Sequence, residues 1–324
     1  MPGHEFQRIA RLASLFGTPP PPDVGIGDDC AVLFPSGAVV VTVDAAVEGV
    51  HFRRDLLSLE DASSRAIEAA ASDVAAMGGD LQGVGCGLLL AWTLPVTLHD
   101  DDFDALARGA RRAADRLGAR VIGGNLAAAP TLTLTTTVLG RAPAGVLTRS
   151  GARPGDVVAV SGALGAAALG LNALIAGRGG DAGFAPFVAR WRTPRARIDL
   201  GRAIASRAHA AIDVSDGLAQ DAGHLAAASA CAIRLDAERL PMLVGQRERA
   251  AELGLDAVEL ALTGGEDYEL LSTGPRAAFG PEWTVIGEVL GGAGVTVREA
   301  GVARSIGDGW DHFRPERSGA VTDR

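Results

Sequence analysis

Ala38-Val-Val-Val-Thr-Val-Asp44 is a run of β-branched residues that closes on a carboxylate, and it reads as a strand with an acid at its carboxyl end. The next patterned segment, Asp61 to Met77, changes period. At 100° per residue Ala62, Ala66, Ala69, Ala70 and Met77 fall on one stripe, with Ser64 and Glu68 opposite. A period of 2 giving way to one of 3.6 is the mark of a chain that alternates strands with helices. Asp73 lies inside the apolar stripe. A lone buried carboxylate is costly, so it calls for a metal ion or a cationic ligand, or else a cap or ion pair near the helix end.

Working outward, Phe6, Ile9, Leu12 and Phe16 suit a short amphipathic helix that the prolines at 19–22 end. Gly25-Ile-Gly-Asp-Asp-Cys30 is a glycine loop with two adjacent acids, running into the apolar Ala31-Val-Leu-Phe34. Downstream, Val84 to Trp92 reads as a strand. Asp100 reads as the cap of a helix carrying Phe103, Leu106, Ala110, Ala114 and Leu117, which Gly118 stops. Val121 to Asn125 is a strand entering a glycine turn, and Leu132 to Val138 alternates apolar residues with threonine.

Arg141 to Asp156 is rich in Pro and Gly and is the expected boundary, giving an N-terminal domain of residues 1–140 and a C-terminal domain of residues 141–324. The second half alternates again. Strands are expected at Val157–Val160, Ala210–Val214 and Ala232–Leu235, with three more short ones in 267–298. Helices are expected at Leu164–Ala176, from Pro194, and at Leu218–Ala228, with a flexible loop at Gly177–Gly183.

The 324 residues, 48% of them hydrophobic, can fill sizeable cores. Acids outnumber bases 39 to 30, for a net charge of -9, which argues against nucleic acid or an anionic membrane surface as a partner. All 30 basic residues are arginine. A phosphate-binding P-loop lysine and Schiff-base chemistry are therefore excluded, and phosphate must be handled by arginine, backbone N–H groups and metal. Cys30, Cys86 and Cys231 show no metal-binding or redox spacing and read as small buried groups in a reducing compartment. Val157 to Gly177 carries no charge, but its glycines and Asn172 fit a strand, a turn and a helix better than a membrane span. With no secretory leader pattern, a soluble cytoplasmic protein is expected.

Ile212-Asp-Val-Ser-Asp-Gly217 sits between a strand and a helix. Asp213 and Asp216 flank Ser215 there, a set suited to divalent cations with a hydroxyl and N–H groups left for phosphate oxygens; alone, it is also an ordinary helix cap. The strand-end and loop acids are Asp28, Asp29, Asp44, Asp73, Asp213 and Asp216. Brought together they would make an oxygen-only Mg²⁺ site of the kind used in phosphoryl transfer, and the lack of Cys/His clusters argues against zinc. Arg149 and Arg153 could clamp a nucleotide phosphate or solubilise the surface. His51, beside Phe52, could meet an anionic substrate or be structural. Gly264-Gly-Glu-Asp-Tyr268 holds the chain's single tyrosine. No nucleophile-elbow motif or dinucleotide fingerprint occurs.

Taken together, Gly25–Ala31, Val43–Phe52, Ser72–Gly78, Thr148–Ala152, Ile212–Gly217, Gly264–Leu270 and Gly309–Phe313 resemble the thiamine-monophosphate kinase family, within the superfamily that includes aminoimidazole ribonucleotide synthetase, nearly end to end. The resemblance implies a two-domain α/β protein of α+β type, with mixed sheets flanked by helices. It implies transfer of the ATP γ-phosphoryl group to thiamine monophosphate in a homodimer, with several Mg²⁺ ions. Asp29, Thr42, Asp44, Asp73, Asp213 and Asp216 would hold metal, with Asp44, Asp73 and Asp213 central to catalysis. Gly124, Arg149 and Ser215 would contact ATP; His51, Glu266 and Trp310 would meet the thiamine phosphate.

Two departures stand out. The family's Gly-Gly-Asp-Thr reads Gly123-Gly-Asn125-Leu126, so a metal-binding carboxylate becomes an amide that can still offer one oxygen. Gly162-Ala-Leu-Gly-Ala-Ala167 lacks the Asp that commonly follows its second glycine. A weakened nucleotide- or thiamine-phosphate-binding relative, or another synthetase of the superfamily, is the alternative expectation.

Overall fold

The computed structural model describes residues 4–17 and 37–304. The chain starts with helix α1 (His4–Phe16) and strand β1 (Val39–Val47). Helix α2 (Leu59–Ala76), β2 (Gly87–Leu94), α3 (Asp100–Leu117), β3 (Val121–Ala128) and β4 (Thr133–Arg141) follow. These strands form a mixed four-stranded sheet in the order β1-β4-β2-β3, antiparallel except for the β2/β3 pair. On β1 the residues alternate: Val40, Thr42 and Asp44 face the helix side, while Val39, Val41 and Val43 are exposed on the other.

The second half contributes β5 (Val157–Val160), α4 (Ala166–Ile175), α5 (Ala185–Arg192), α6 (Ile198–Ile204), β6 (Ala210–Val214), α7 (Leu218–Ala228) and β7 (Ala232–Asp236). It ends with α8 (Gln246–Glu252), α9 (Ala257–Thr263), β8 (Glu269–Gly274), β9 (Thr284–Leu290), β10 (Gly294–Glu299) and β11 (Val302–Arg304). Its seven strands form a second mixed sheet, β11-β10-β7-β9-β5-β8-β6. Two mixed sheets flanked by helices is the architecture expected from the sequence. The uncharged run 157–177 is divided among β5, a turn and α4, and among the described residues no helix is long and apolar enough to cross a membrane.

Helix α2 is the axis of the molecule. Ser58 caps it, its Oγ accepting the Asp61 N–H at 3.0 Å. Nearly every later residue is buried, because α3 and the first sheet cover one side while α6 and β6 cover the other. Gly201 on α6 shows how close that second contact is, since a Cβ there would stand 1.9 Å from the Ala75 carbonyl oxygen. Ser64 and Glu68, which the sequence places opposite the apolar stripe, are therefore buried as well. Glu68 is partnered by the Arg116 guanidinium and accepts the Ala196 N–H at 2.9 Å. A single amphipathic stripe marks a helix buried on one side, and α2 is buried on two.

Smaller corrections concern helix ends. Asp100 is the first residue of α3 rather than its cap, which is His99, while Gly118 (φ +63°) ends the helix as expected. Pro194 lies in the break between α5 and α6 and does not start a helix; the stretch before it already holds α5. Trp191 and Ala196 from this segment pack into the core of the first half beside Leu57 and Ile67. Cys86 and Cys231 are free and buried, as read.

Candidate active site

A cavity of about 700 Å³ opens where α2 meets the edge of the second sheet. Asp44 enters it from β1 and Asp73 from α2. Asp213, Ser215 and Asp216 come from the end of β6 and the turn into α7, and His51 from the turn after β1. Glu266 and Tyr268 approach from the loop between α9 and β8; Leu56, Leu171, Ile175 and Trp191 complete an apolar end. Seven of the residues singled out in the sequence thus line one cavity: Asp44, His51, Asp73, Asp213, Ser215, Asp216 and Glu266.

Thr42 belongs to the same wall without lining it. Being two residues before Asp44, it faces the same side of β1 and donates its Oγ1–H to Asp73 Oδ2 at 2.6 Å. Asp44 accepts the Ala45 N–H at 2.7 Å. Neither Asp44, Asp73 nor Asp213 forms an ion pair with a described arginine; Arg149 is a counter-charge that reaches Asp73 and Asp213 at longer range. The consequence is electrostatic strain. Burial, then the neighbouring Asp73 charge, pushes Asp213 up to about 7. Burial raises Asp73 too, partly offset by Thr42 and reinforced by Asp44.

Asp221, one turn into α7, was missed by sequence reading. It is buried and its Oδ2 accepts the N–H groups of Ser215 (3.0 Å) and Asp216 (3.2 Å), so it shapes the turn on which those residues sit. Burial, Asp213 and Asp216 push it up to about 8. The available signal was an acid in the first turn of a helix, where it can reach back to unsatisfied N–H groups.

The 264–268 loop is zipped onto this turn: Glu266 N–H donates to Ser215 O (2.7 Å) and Tyr268 N–H to Val214 O (2.9 Å). Gly265 is required there, with φ +66° and a Cβ that would lie 2.6 Å from Ser215 O. Glu266 and Tyr268 themselves hold φ of +60° and +50°, a left-handed backbone that non-glycine residues adopt at a cost. The alternation points Glu266 into the cavity and Asp267 away from it. Asp267 caps α4, accepting from Gly165 N (2.6 Å) and Ala167 N (3.2 Å), and burial pushes it up to about 7. His51 accepts the Val47 N–H at Nδ1 (3.1 Å), so the neutral ring carries its proton on Nε2.

Gly124 and Asn125 are not in this chain's cavity. The register aligns Asp44, Thr136, Leu90 and Gly124 in one row and Ala45, Thr135, Ala91 and Asn125 in the next. Asn125 therefore lies three strand spacings from Ala45, about 14 Å, and its side chain shares the face of Ala45, opposite to that of Asp44. Arg149 is exposed and does not line the cavity. Asp28, Asp29 and Trp310 lie outside the described residues. Among the described residues no group of three or more His, Cys, Asp or Glu side chains is close enough to hold a metal ion by itself.

The chain is similar to known proteins over most of its length. The AIR synthase related protein, N-terminal domain, matches residues 27–142. The thiamine-monophosphate kinase of Aquifex aeolicus is 36% identical over 295 residues, 89% of this chain and 92% of that protein. A solved structure described as AaThiL complexed with AMPPCP and TMP is 33% identical and superposes with a TM-score of 0.79, covering 95% of this chain and 97% of that one. The hydrogenase maturation protein HypE in complex with ATP is 19% identical with a TM-score of 0.75, covering 95% and 96% of the two chains, a likeness of fold alone. The arrangement of acids around one cavity and the relatives matched over most of its length establish that the chain belongs to the thiamine-monophosphate kinase family.

Proposed function

We propose that this chain transfers the γ-phosphoryl group of ATP to thiamine monophosphate, giving thiamine diphosphate and ADP. The observation that carries the reading is a single cavity lined by Asp44, Asp73, Asp213 and Asp216 together with Glu266 and apolar walls, in a chain whose relatives bear that name. The acceptor's phosphate oxygen is already anionic, so attack in line on the γ-phosphorus, with ADP leaving, needs no strong general base. What remains for the protein is orientation, exclusion of water and charge compensation.

The donor set fits Mg²⁺ in its chemistry: hard oxygens, and a repulsion among Asp44, Asp73 and Asp213 that a cation would relieve. Mg²⁺ commonly takes only one or two carboxylates and completes its shell with water and substrate phosphates, which accommodates the absence of a closed cluster among the described residues. Asp29, Thr42, Asp44, Asp73, Asp213 and Asp216 are the proposed holders, with Asn125 as an amide oxygen; Asp44, Asp73 and Asp213 are the groups nearest the transfer. When bound, the metal would neutralise charge on the transferring phosphoryl group.

Ser215, Arg149 and the Gly124 backbone are the proposed ATP contacts, and His51, Glu266 and Trp310 those of thiamine monophosphate. The boundary near residue 140 divides a dimerising, metal-bearing domain from one that contacts nucleotide and substrate. The exposed row Val39, Val41 and Val43 supports a homodimer, and within one protomer's geometry Gly124 and Asn125 can reach a site only on a second copy. The cytoplasm is the proposed compartment. Purified protein incubated with ATP, Mg²⁺ and thiamine monophosphate is expected to yield thiamine diphosphate by chromatography. Absence of product with substrate binding intact would replace this reading with that of a non-catalytic binding relative, the reading that the Asn125 substitution favours.

A further inference from the structure

Glu266 does not stand free at the apolar end of the cavity. Arg65, on α2, is buried, and one guanidinium nitrogen donates to Glu266 Oε1 while another donates to the backbone carbonyl of Trp191 on α5. The indole Nε1–H of the same Trp191 donates to Glu266 Oε2 at 2.9 Å. The guanidinium also stacks over the Trp191 ring, 5.0 Å from its centroid, and lies 5.9 Å from the Tyr268 ring. Both carboxylate oxygens of Glu266 are thus pinned by protein donors, yet each oxygen retains capacity for another hydrogen bond, and the Glu266 side chain is 30% exposed.

The position of Arg65 matters as much as its contacts. It precedes Asp73 by eight residues on one continuous helix, about 12 Å along the axis. The helix that delivers a carboxylate to one end of the cavity therefore also delivers the cation that fixes the carboxylate at the other end. We propose that Arg65, assisted by the Trp191 indole, is a positioning residue for the acceptor substrate. It holds the Glu266 carboxylate as an oriented, charge-compensated hydrogen-bond acceptor at a distance from Asp73 that α2 sets. The guanidinium reaches the Trp191 carbonyl and the Glu266 carboxylate with two separate nitrogens in one plane while stacking on the indole, a geometry that the single-headed ammonium of lysine does not reproduce.

This inference rests on the proposed kinase reading, in which Glu266 meets thiamine monophosphate, and its test separates the two. Arg65→Lys is expected to raise KM for thiamine monophosphate about tenfold while kcat and KM for ATP stay within about twofold. Glu266→Gln is expected to raise the same KM, and the double variant R65K/E266Q to be no worse than E266Q alone, because one residue acts through the other. If R65K does not fold, Trp191→Phe, which removes the indole donor while keeping an aromatic ring under the guanidinium, carries the same expectation. Calorimetric titration with thiamine monophosphate supplies the same comparison as a Kd.

If E266Q weakens thiamine monophosphate while R65K and W191F do not, the positioning role is overturned and the kinase reading stands. An E266Q variant with unaltered affinity overturns the substrate assignment of Glu266 and the inference with it. Equal changes in both substrates' KM, or multiplicative effects in the double variant, would reduce Arg65 to a structural residue.

Discussion

The two ends of the cavity treat negative charge in opposite ways. At one end Asp73 and Asp213 are neighbours without an arginine ion pair, and Asp213 is pushed up to about 7. At the other end Glu266, and Glu269 behind it, are matched by cations. Glu266 has Arg65 and Trp191. Glu269, fully buried, has Arg190, Arg197 and Ser161, and these donors outweigh burial to hold its carboxyl below the usual range. The difference separates charge that the protein leaves uncompensated from charge that holds the fold. Burial alone distinguishes neither; the partner does.

The largest effect expected from breaking that contrast is at the strained end. Asp213→Asn should lower thiamine diphosphate formation by on the order of 10²–10³-fold at saturating Mg²⁺, while the melting temperature without Mg²⁺ is unchanged or raised, because a repulsive buried charge is gone. Its pH dependence follows from the raised carboxyl. The native state holds a proton that the unfolded state releases near the ordinary value of 3.8, so this stabilisation is complete below that value and is lost as pH rises through about 7. Melting temperature in the absence of Mg²⁺ should therefore fall between pH 5 and 8 by roughly the loss linkage predicts, and D213N should flatten the fall. A wild-type profile that rises over this range would contradict the strain described for Asp213.

At the matched end the pattern inverts. Glu269→Gln leaves Arg190 and Arg197 without their anion and should cost about 3 kcal/mol of stability, read from the urea midpoint, with turnover per folded molecule little changed. A severe loss of kcat at unchanged stability would move Glu269 to the reactive side of the comparison. The smallest effect is expected from Asn125→Asp. Its side chain lies on the opposite sheet face from Asp44, so the Mg²⁺ midpoint should shift only in dimeric protein, and modestly, because an amide oxygen already stands where the carboxylate would. A shift in monomeric protein would put Asn125 in its own chain's cavity.

The acids that line the cavity were legible because each stands out against a short local pattern: Asp44 after the valine run, Asp73 in an apolar helical stripe, Asp213 and Asp216 before α7. The expectation that Asp44 ends its strand is corrected, since β1 continues to Val47 and the ladder with β4 runs on past Asp44. The residues that organise these acids were not legible. Arg65 and Glu266 are 201 positions apart, and Arg197 and Glu269 are 72 apart; no periodicity links such pairs. Asn125 is the converse case: its motif is local and readable, but which face of the sheet it occupies, and how far it is from β1, depend on strand order and register.

By itself, then, the sequence determined the alternation of strands and helices, the carboxylate-rich character of the site, the exclusion of lysine mechanisms and most of the acids that line the cavity, since these follow from residue type and short-range pattern. The tertiary structure decided which acids are left uncompensated and which are neutralised. It did so by packing α2 between two sheets, an arrangement that buries Glu68 and Arg65 alike and leaves each to find its partner from a distant part of the chain.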